Sequence, residues 1–163
     1  MRKQMQVAGC RLLVAAALVV GARAQIGDAP VKAKSYVVYA AESQTAPVGK
    51  SALLELRFHV LDGYHVNSHT PKSELLIPTV LKLDAADGVK AGTLQYPAGK
   101  LYSFSFEPTE KLDVYAGDFT IKLPVVAAAG EHTVNGTLRY QACDNASCYP
   151  PKTLPVQLVF TAK

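Results

Sequence analysis

Apolar and polar residues alternate in three segments of this chain: Ala52–Val60, Thr133–Gln141 and Leu154–Phe160. A period of two places successive side chains on opposite faces, so each segment predicts a β-strand with one buried face. The side chains expected to point inward are Leu54, Leu56, Phe58, Val60, Val134, Leu138, Tyr140, Leu154, Val156, Leu158 and Phe160. No segment shows convincing helical periodicity, which predicts an all-β protein.

Weaker strand signals occupy much of the remaining chain. They fall on Ser35–Ala40, Tyr64–Asn67, Thr79–Leu83, Gly92–Tyr96, Lys111–Tyr115 and Phe119–Val125. Turn signals such as Asp62-Gly63 and Ala116-Gly117 separate them. About seven to nine short strands joined by regular turns favour an immunoglobulin-like antiparallel β-sandwich. A closed β-barrel is the alternative.

The first 24 residues have the parts of a cleavable signal peptide. After a basic start comes the short apolar run Leu12–Gly21, and the small residues Ala22 and Ala24 precede the cleavage site expected before Gln25. The apolar run is well short of the roughly 20 residues that span a bilayer as a helix. We therefore expect a single exported domain over residues 25–163, in the periplasm or another extracytoplasmic space. The alternative interpretation of this segment is a lipoprotein signal that is lipidated at Cys10.

Charge narrows the range of partners. The chain has 17 basic and 13 acidic residues, but four of the basic residues and none of the acidic ones lie in the expected signal peptide. The mature surface is then neutral, without the basic footprint that nucleic acid requires or the polybasic patch that binds anionic lipid. We expect a monomer with no nucleic-acid partner and no stable membrane insertion.

The mature domain would keep two cysteines, Cys143 and Cys148. An even count in an oxidising compartment predicts a disulfide. In the chain-entropy model a ring of about six residues stabilises a fold by only about 2 kcal/mol, against about 4 to 5 for a loop near a hundred residues. The chain also has no Trp, which packs on the disulfide of antibody domains. Two interpretations stay open. The disulfide is either structural and stabilises a loop, or it exchanges electrons with other thiols.

Local charge bears on the direction of any exchange. Asp144 adjoins Cys143, and no Lys or Arg lies within three residues of either sulfur. These neighbours disfavour a thiolate, whereas a strong oxidant needs a stabilised thiolate in its reduced form. The pair is therefore predicted to donate electrons, provided that the fold does not bring Arg139 or Lys152 to it.

An electron donor in an oxidising compartment needs cover from stray oxidants. The segment Lys100–Pro108 concentrates Tyr102, Phe104 and Phe106. We interpret it as a connection that closes over the sulfurs as a lid. The alternative is an alternating strand that buries the three aromatic side chains together.

One segment resembles a known family. Tyr140–Lys152 reads Tyr-Gln-Ala-Cys, four residues, then Cys-Tyr-Pro-Pro-Lys, and it resembles the active-site region of the N-terminal periplasmic domain of the thiol:disulfide interchange protein DsbD family. Gly63–Asn67 is similar to that family's Gly-aromatic-His strand, and Tyr96–Gly99 and Val114–Gly117 are similar to the stretches flanking its cap loop. The likeness runs from Val31 to Thr161.

The resemblance implies an immunoglobulin-like domain that passes reducing equivalents between thioredoxin-like or membrane-associated partners and envelope thiol proteins. Cys143 and Cys148 would be the redox pair, with Cys148 forming mixed disulfides, and the cap loop would fall on Leu101–Pro108 with Phe104 or Phe106 as the shield. The spacing of four residues between the cysteines is one shorter than in the best-known members. Family members also continue into a membrane segment and a thioredoxin-like domain, so we expect the electron source to be a separate membrane thiol reductase.

Two further expectations concern the alternative function and the four histidines. The alternative function is a non-catalytic immunoglobulin-like binding module with a structural disulfide. The four histidines do not have the spacing or acidic partners of a metal site, so we interpret them as solvated surface imidazoles and expect no cofactor besides the disulfide. They are His59, His65, His69 and His132.

Overall fold

A computed structural model describes residues 35–104 and 107–163. The expected signal peptide, with Cys10, and Phe106 of the proposed lid lie outside the described residues. No helix long and apolar enough to cross a bilayer occurs in these two ranges. The strands are β1 (Val37–Ala40), β2 (Gln44–Ala46), β3 (Ser51–Val60), β4 (His65–Asn67), β5 (Val80–Leu83), β6 (Val89–Ala91), β7 (Lys100–Phe104), β8 (Glu107–Tyr115), β9 (Asp118–Ala127), β10 (Gly130–Tyr140), β11 (Ala142–Cys143) and β12 (Lys152–Ala162).

These strands form three four-stranded sheets, in the orders β1-β3-β9-β6, β2-β12-β10-β5 and β11-β4-β8-β7. The longest ladders are antiparallel: β3 pairs with β9, and β10 pairs with β12 from Gly130 opposite Ala162 to Tyr140 opposite Lys152. The pairing of β2 with β12 is parallel. This arrangement confirms the predicted fold class, an all-β immunoglobulin-like sandwich.

The core lies between the alternating faces of β3, β9, β10 and β12. Of the side chains predicted to point inward, all are buried except that of Leu154, which is partly buried against the same cluster. β9 adds Phe119, Ile121, Leu123 and Val125. Full burial of each large apolar side chain stabilises the fold by roughly 1.5 to 3 kcal/mol, so these four strands form the rigid base for the rest of the molecule.

Two strand predictions were wrong. Gly92–Tyr96 is not a regular strand: the strand next to β9 is β6, and this later segment bridges β9 only at Gln95, which exchanges backbone hydrogen bonds with Lys122. The Tyr96 hydroxyl instead accepts a hydrogen bond from Leu81 N on β5. Lys100–Phe104, interpreted as a connection, is strand β7 and pairs with β8, with a register shift between Tyr102 and Phe104.

The third sheet carries the cysteine segment. The turn at Gly63, whose φ of 80° suits glycine, leads the chain into β4. β4 then pairs with β11 on one side and with β8 on the other. β10 ends at Tyr140 and β11 begins at Ala142, so only Gln141 separates the core ladder from the strand that holds Cys143.

Candidate functional site

Cys143 and Cys148 are joined by a disulfide, as the sequence predicted. Their Cα atoms are 3.9 Å apart, and the two residues form an isolated antiparallel bridge at the tip of a hairpin. The two halves of the bond differ in environment. Cys143, on β11, is 0% exposed, whereas Cys148 is an exposed residue. A partner molecule therefore meets Cys148 first.

The carboxylate of Asp144 organises the turn between the two cysteines. It accepts hydrogen bonds from Ala146 N at 2.8 Å and Ser147 N at 2.9 Å, and the hydroxyl of Tyr149 donates to its second oxygen at 2.5 Å. The Tyr149 bond, followed by the two backbone bonds, lowers the pKa of Asp144. The same bond raises the pKa of Tyr149 to about 12. At neutral pH the turn thus holds a fixed negative charge beside Cys143.

Other hydrogen bonds tie the two ends of the ring together without using the sulfurs. Tyr149 N donates to Ala142 O at 2.8 Å, and Gln141 Nε2 donates to Tyr149 O at 3.2 Å. The ring of Tyr149 also stacks on Tyr36 with centroids 5.0 Å apart. The hairpin is consequently held by contacts that do not involve the sulfurs.

Aromatic side chains from β7 lie beside this hairpin. The hydroxyl of Tyr102 donates to Asn145 Oδ1 at 2.7 Å, which links β7 to the turn inside the ring. The ring of Tyr102 lies 4.1 Å from that of His65, and the ring of Phe104 lies 5.9 Å from it. Tyr102 and Phe104 meet edge to face at 5.6 Å. Both are only partly buried, so they are not part of the sandwich core.

His65 belongs to the site, and its interpretation as a solvated imidazole was wrong. It lies directly opposite Cys143 in the β4–β11 pair and is 3% exposed. Its Nε2 atom is buried and has no hydrogen-bond partner among the described residues. Burial lowers the pKa of His65, and the charge of Asp144 opposes that shift. All three residues of β4 (His65–Asn67) are buried. The sequence signal for this was the absence of any formally charged residue from Gly63 to Asn67.

The other three histidines have contacts of their own. The ring of His69 stacks on Tyr96 at 3.6 Å, His59 Nδ1 lies 2.6 Å from Asp118 Oδ1, and His132 Nε2 lies 2.8 Å from Ala128 O. Residues 35–104 and 107–163 contain no group of three or more His, Cys, Asp or Glu side chains placed to hold a metal ion.

The two cations considered from the sequence as possible neighbours of the sulfurs differ in position. Lys152 Nζ lies 5.4 Å from the ring centroid of Tyr36, and Arg139 is exposed on β10. Asp144 is the charged residue next to Cys143, and its charge also acts on His65.

Comparison with known proteins settles the family. The family model described as the N-terminal region of the thiol:disulfide interchange protein DsbD matches residues 33–159. The chain belongs to this family. Membership in the DsbD N-terminal family also supports an extracytoplasmic location. No curated protein sequence matches the chain.

Several solved structures are similar to this domain. The reduced DsbD N-terminal domain of Neisseria meningitidis is 24% identical, with 67% of this chain and 81% of that chain covered and a TM-score of 0.43. The complex between the DsbD and PilB N-terminal domains of the same organism gives 24% identity, 63% and 71% coverage, and a TM-score of 0.43. The N-terminal periplasmic domain of ScsB from Proteus mirabilis gives 10% identity, 75% and 44% coverage, and a TM-score of 0.48.

Proposed function

We propose that this DsbD N-terminal-type domain is a periplasmic thiol:disulfide exchange carrier that passes reducing equivalents between partner proteins through Cys143 and Cys148. The observation that carries the proposal is the asymmetry of the disulfide, with Cys148 exposed and Cys143 buried on β11. Thiol–disulfide exchange requires one sulfur that an incoming thiolate reaches and a second that serves as leaving group or resolving thiol. The hairpin offers both.

The exchange proceeds in two displacements. A thiolate of the electron donor attacks Cys148 Sγ, the bond to Cys143 breaks, and its electron pair remains on Cys143 Sγ, which takes up a proton. The donor's second thiolate then attacks the donor sulfur of the mixed disulfide and releases Cys148 as a thiolate. The donor ends as a disulfide and this domain as a dithiol, which reduces an acceptor disulfide by the reverse sequence.

A purely structural role fits the pair less well. The bond joins residues only five apart in sequence, within one hairpin, and does not link the sheet of β3 and β9 to the sheet of β10 and β12 across the core. In the chain-entropy model such a ring stabilises the fold by only about 2 kcal/mol. The hairpin already has its own hydrogen bonds at Gln141, Ala142 and Tyr149, so a staple here would add little.

We further propose that Tyr102 and Phe104 shield the pair and that the shield moves aside for a partner. Tyr102 is supported in this role by its hydrogen bond to Asn145 inside the ring, and Phe104 by its contact with Tyr102. Among the described strands, β7 lies at the edge of its sheet and pairs only with β8. It can therefore shift without breaking the ladders of the core.

The partners proposed are thioredoxin-like proteins of the envelope, with a separate membrane thiol reductase as the source of electrons. Family membership and the exposed Cys148 support this assignment. The neighbouring Asp144, which disfavours a thiolate at Cys143, supports electron donation over oxidation.

The reduction potential of the pair tests the proposal. We expect a value above about −300 mV, because structural disulfides of exported proteins lie below it. Cys143→Ser, which keeps Cys148, should trap a mixed disulfide with a thioredoxin-like protein, whereas the matched variant Cys148→Ser should not. A potential well below this limit, with neither variant trapped, would instead identify a binding module with an inert disulfide.

A further inference from the structure

His65 is a buried polar side chain to which the two displacements of the exchange reaction give no role. It faces Cys143 across the β4–β11 pair. Side chains of directly opposed residues lie on the same face of a sheet, with Cβ atoms about 4.5 to 5.5 Å apart. The imidazole therefore lies on the same side of the sheet as the buried sulfur, and it is the histidine that the strand register places there.

The surroundings of His65 leave its Nε2 atom without a protein partner. The ring is enclosed by Tyr102 and Phe104, and the residue is 3% exposed. Nε2 has no hydrogen-bond partner in the described part of the chain. A buried polar atom left unpaired costs about 1 to 3 kcal/mol, and such atoms in native proteins call for a functional or structural reason.

Cys143 must exchange a proton each time the disulfide opens or closes. When Cys143 closes the disulfide it must lose a proton, and when the disulfide opens it must gain one. With 0% exposure, it has no direct contact with bulk water through which to do so. Burial and the neighbouring carboxylate of Asp144 both disfavour the free thiolate. Proton transfer to a nearby base removes that obstacle.

We propose that His65 accepts the proton of the Cys143 thiol when the disulfide closes and returns it when the disulfide opens. The inference rests on the proposed exchange function. In the closing step Cys148 is bonded to the sulfur of the acceptor. The Cys143 proton passes to His65, Cys143 Sγ bonds to Cys148 Sγ, and the acceptor sulfur leaves with the electron pair of its broken bond. His65 then passes its proton to solvent, and the released thiolate is protonated there.

The protonation state of His65 at neutral pH suits this role. Burial lowers its pKa below the ordinary value, so the imidazole is neutral and able to accept a proton. Asp144 is the neighbour whose charge opposes this shift. The titratable groups that contact or oppose His65 are Tyr102, Cys143 and Asp144. The flanking strands also carry Lys100 on β7 and Glu107, Glu110, Lys111, Asp113 and Tyr115 on β8.

The test separates the two displacements with an aromatic disulfide, 5,5′-dithiobis(2-nitrobenzoate), added to the reduced domain. Release of the first thionitrobenzoate reports attack by Cys148, and release of the second reports closure by Cys143. In His65→Gln we expect the first phase to keep its rate and the second to slow about a hundredfold or more at pH 7, the range typical of lost general base catalysis. The matched control His69→Gln removes the neighbouring half-buried imidazole and should leave both phases unchanged.

The pH profile distinguishes proton transfer from a packing role. In the wild-type domain the closing rate should rise through the lowered pKa of His65 and level off by neutral pH. In His65→Gln the rate should keep rising with pH above neutrality, because the Cys143 thiol must then lose its proton without a base beside it. An NMR titration of the His65 ring in Cys143→Ser, with Cys148 blocked, supplies an independent pKa for the same inflection. This NMR titration tests the proton-transfer role even if His65→Gln does not fold.

Three outcomes overturn the inference. They are a closing phase of His65→Gln with the wild-type rate and pH profile, a wild-type profile with no inflection at the pKa of His65, and equal slowing by His69→Gln. In each of these cases the disulfide still closes, so the exchange function stands. Absence of any second release in the wild-type domain would instead overturn both the exchange function and the role of His65.

Discussion

The hydrogen bond between Tyr102 and Asn145 allows a quantitative test of shielding. Tyr102→Phe removes the hydroxyl that donates to Asn145 Oδ1 at 2.7 Å and keeps the ring. A hydrogen bond of this kind contributes about 0.5 to 1.5 kcal/mol, which corresponds to a roughly 2- to 13-fold change in an equilibrium. Cys148 is exposed as a residue. If a reagent can nevertheless approach the Sγ atoms along a reactive path only when β7 moves aside, its rate should rise by the same factor.

Tyr102→Ala extends the series by removing the ring as well. It deletes the contact with His65 at 4.1 Å and the edge-to-face contact with Phe104 at 5.6 Å. Aromatic contacts contribute about 0.5 to 1.5 kcal/mol each beyond the area that they bury. We therefore expect the order of reactivity to be Tyr102→Ala, then Tyr102→Phe, then the wild-type domain.

The assay is the second-order rate constant for reduction of the oxidised domain by dithiothreitol under conditions where all variants are folded. Ser103→Ala is the matched control, because it removes a hydrogen bond on the same strand, from Lys111 Nζ at 2.9 Å, without touching the turn of the ring. It should react at the wild-type rate. Wild-type rates for both Tyr102 variants would refute the shielding role of this strand.

Charge and packing give two more expectations. Asp144→Asn keeps the oxygen that accepts from Ala146 N and Ser147 N but removes the charge beside Cys143, together with the acceptor of the Tyr149 hydroxyl. The reduction potential should become less negative, whereas the remote Asp118→Asn should leave it unchanged. Because the pKa of Asp144 is lowered, the wild-type domain should keep this charge down to pH values below the ordinary carboxyl range of about 4. Leu138→Ala, at a residue that is 0% exposed, should lower the free energy of unfolding by about 2 to 5 kcal/mol in guanidinium chloride. Leu75→Ala, at a residue that is 92% exposed, should change it by less than about 0.5 kcal/mol.

The alternation of apolar and polar residues made the strands of the core predictable. β3, β10 and β12 each have one face on the apolar cluster and one face in water, and the alternation of their residues records this directly. The short strands β2 and β11 could not be found in this way, since two or three residues do not establish a period. They are strands because their neighbours, the long strand β12 and the buried strand β4, offer them hydrogen-bond partners.

The site was only partly predictable for a related reason. The cysteine pair and the aromatic cluster are visible as residue types, so Cys143, Cys148, Tyr102 and Phe104 could be named. The position of His65 depends on the register between β4 and β11, which brings together residues that are far apart in sequence. A pattern confined to one strand does not contain that information.

The hairpin that carries the cysteines begins and ends on a single ladder, since Tyr140 at the end of β10 lies opposite Lys152 at the start of β12. Insertion or loss of one residue at its tip changes the length of the connection but not the pairing behind it, and the entropic cost of closing a slightly longer loop is small. The fold can therefore accommodate a change in cysteine spacing without a change in the pairing of β10 with β12. The size of the disulfide ring, and with it the redox chemistry, can change while the strand pairing of the sandwich stays the same.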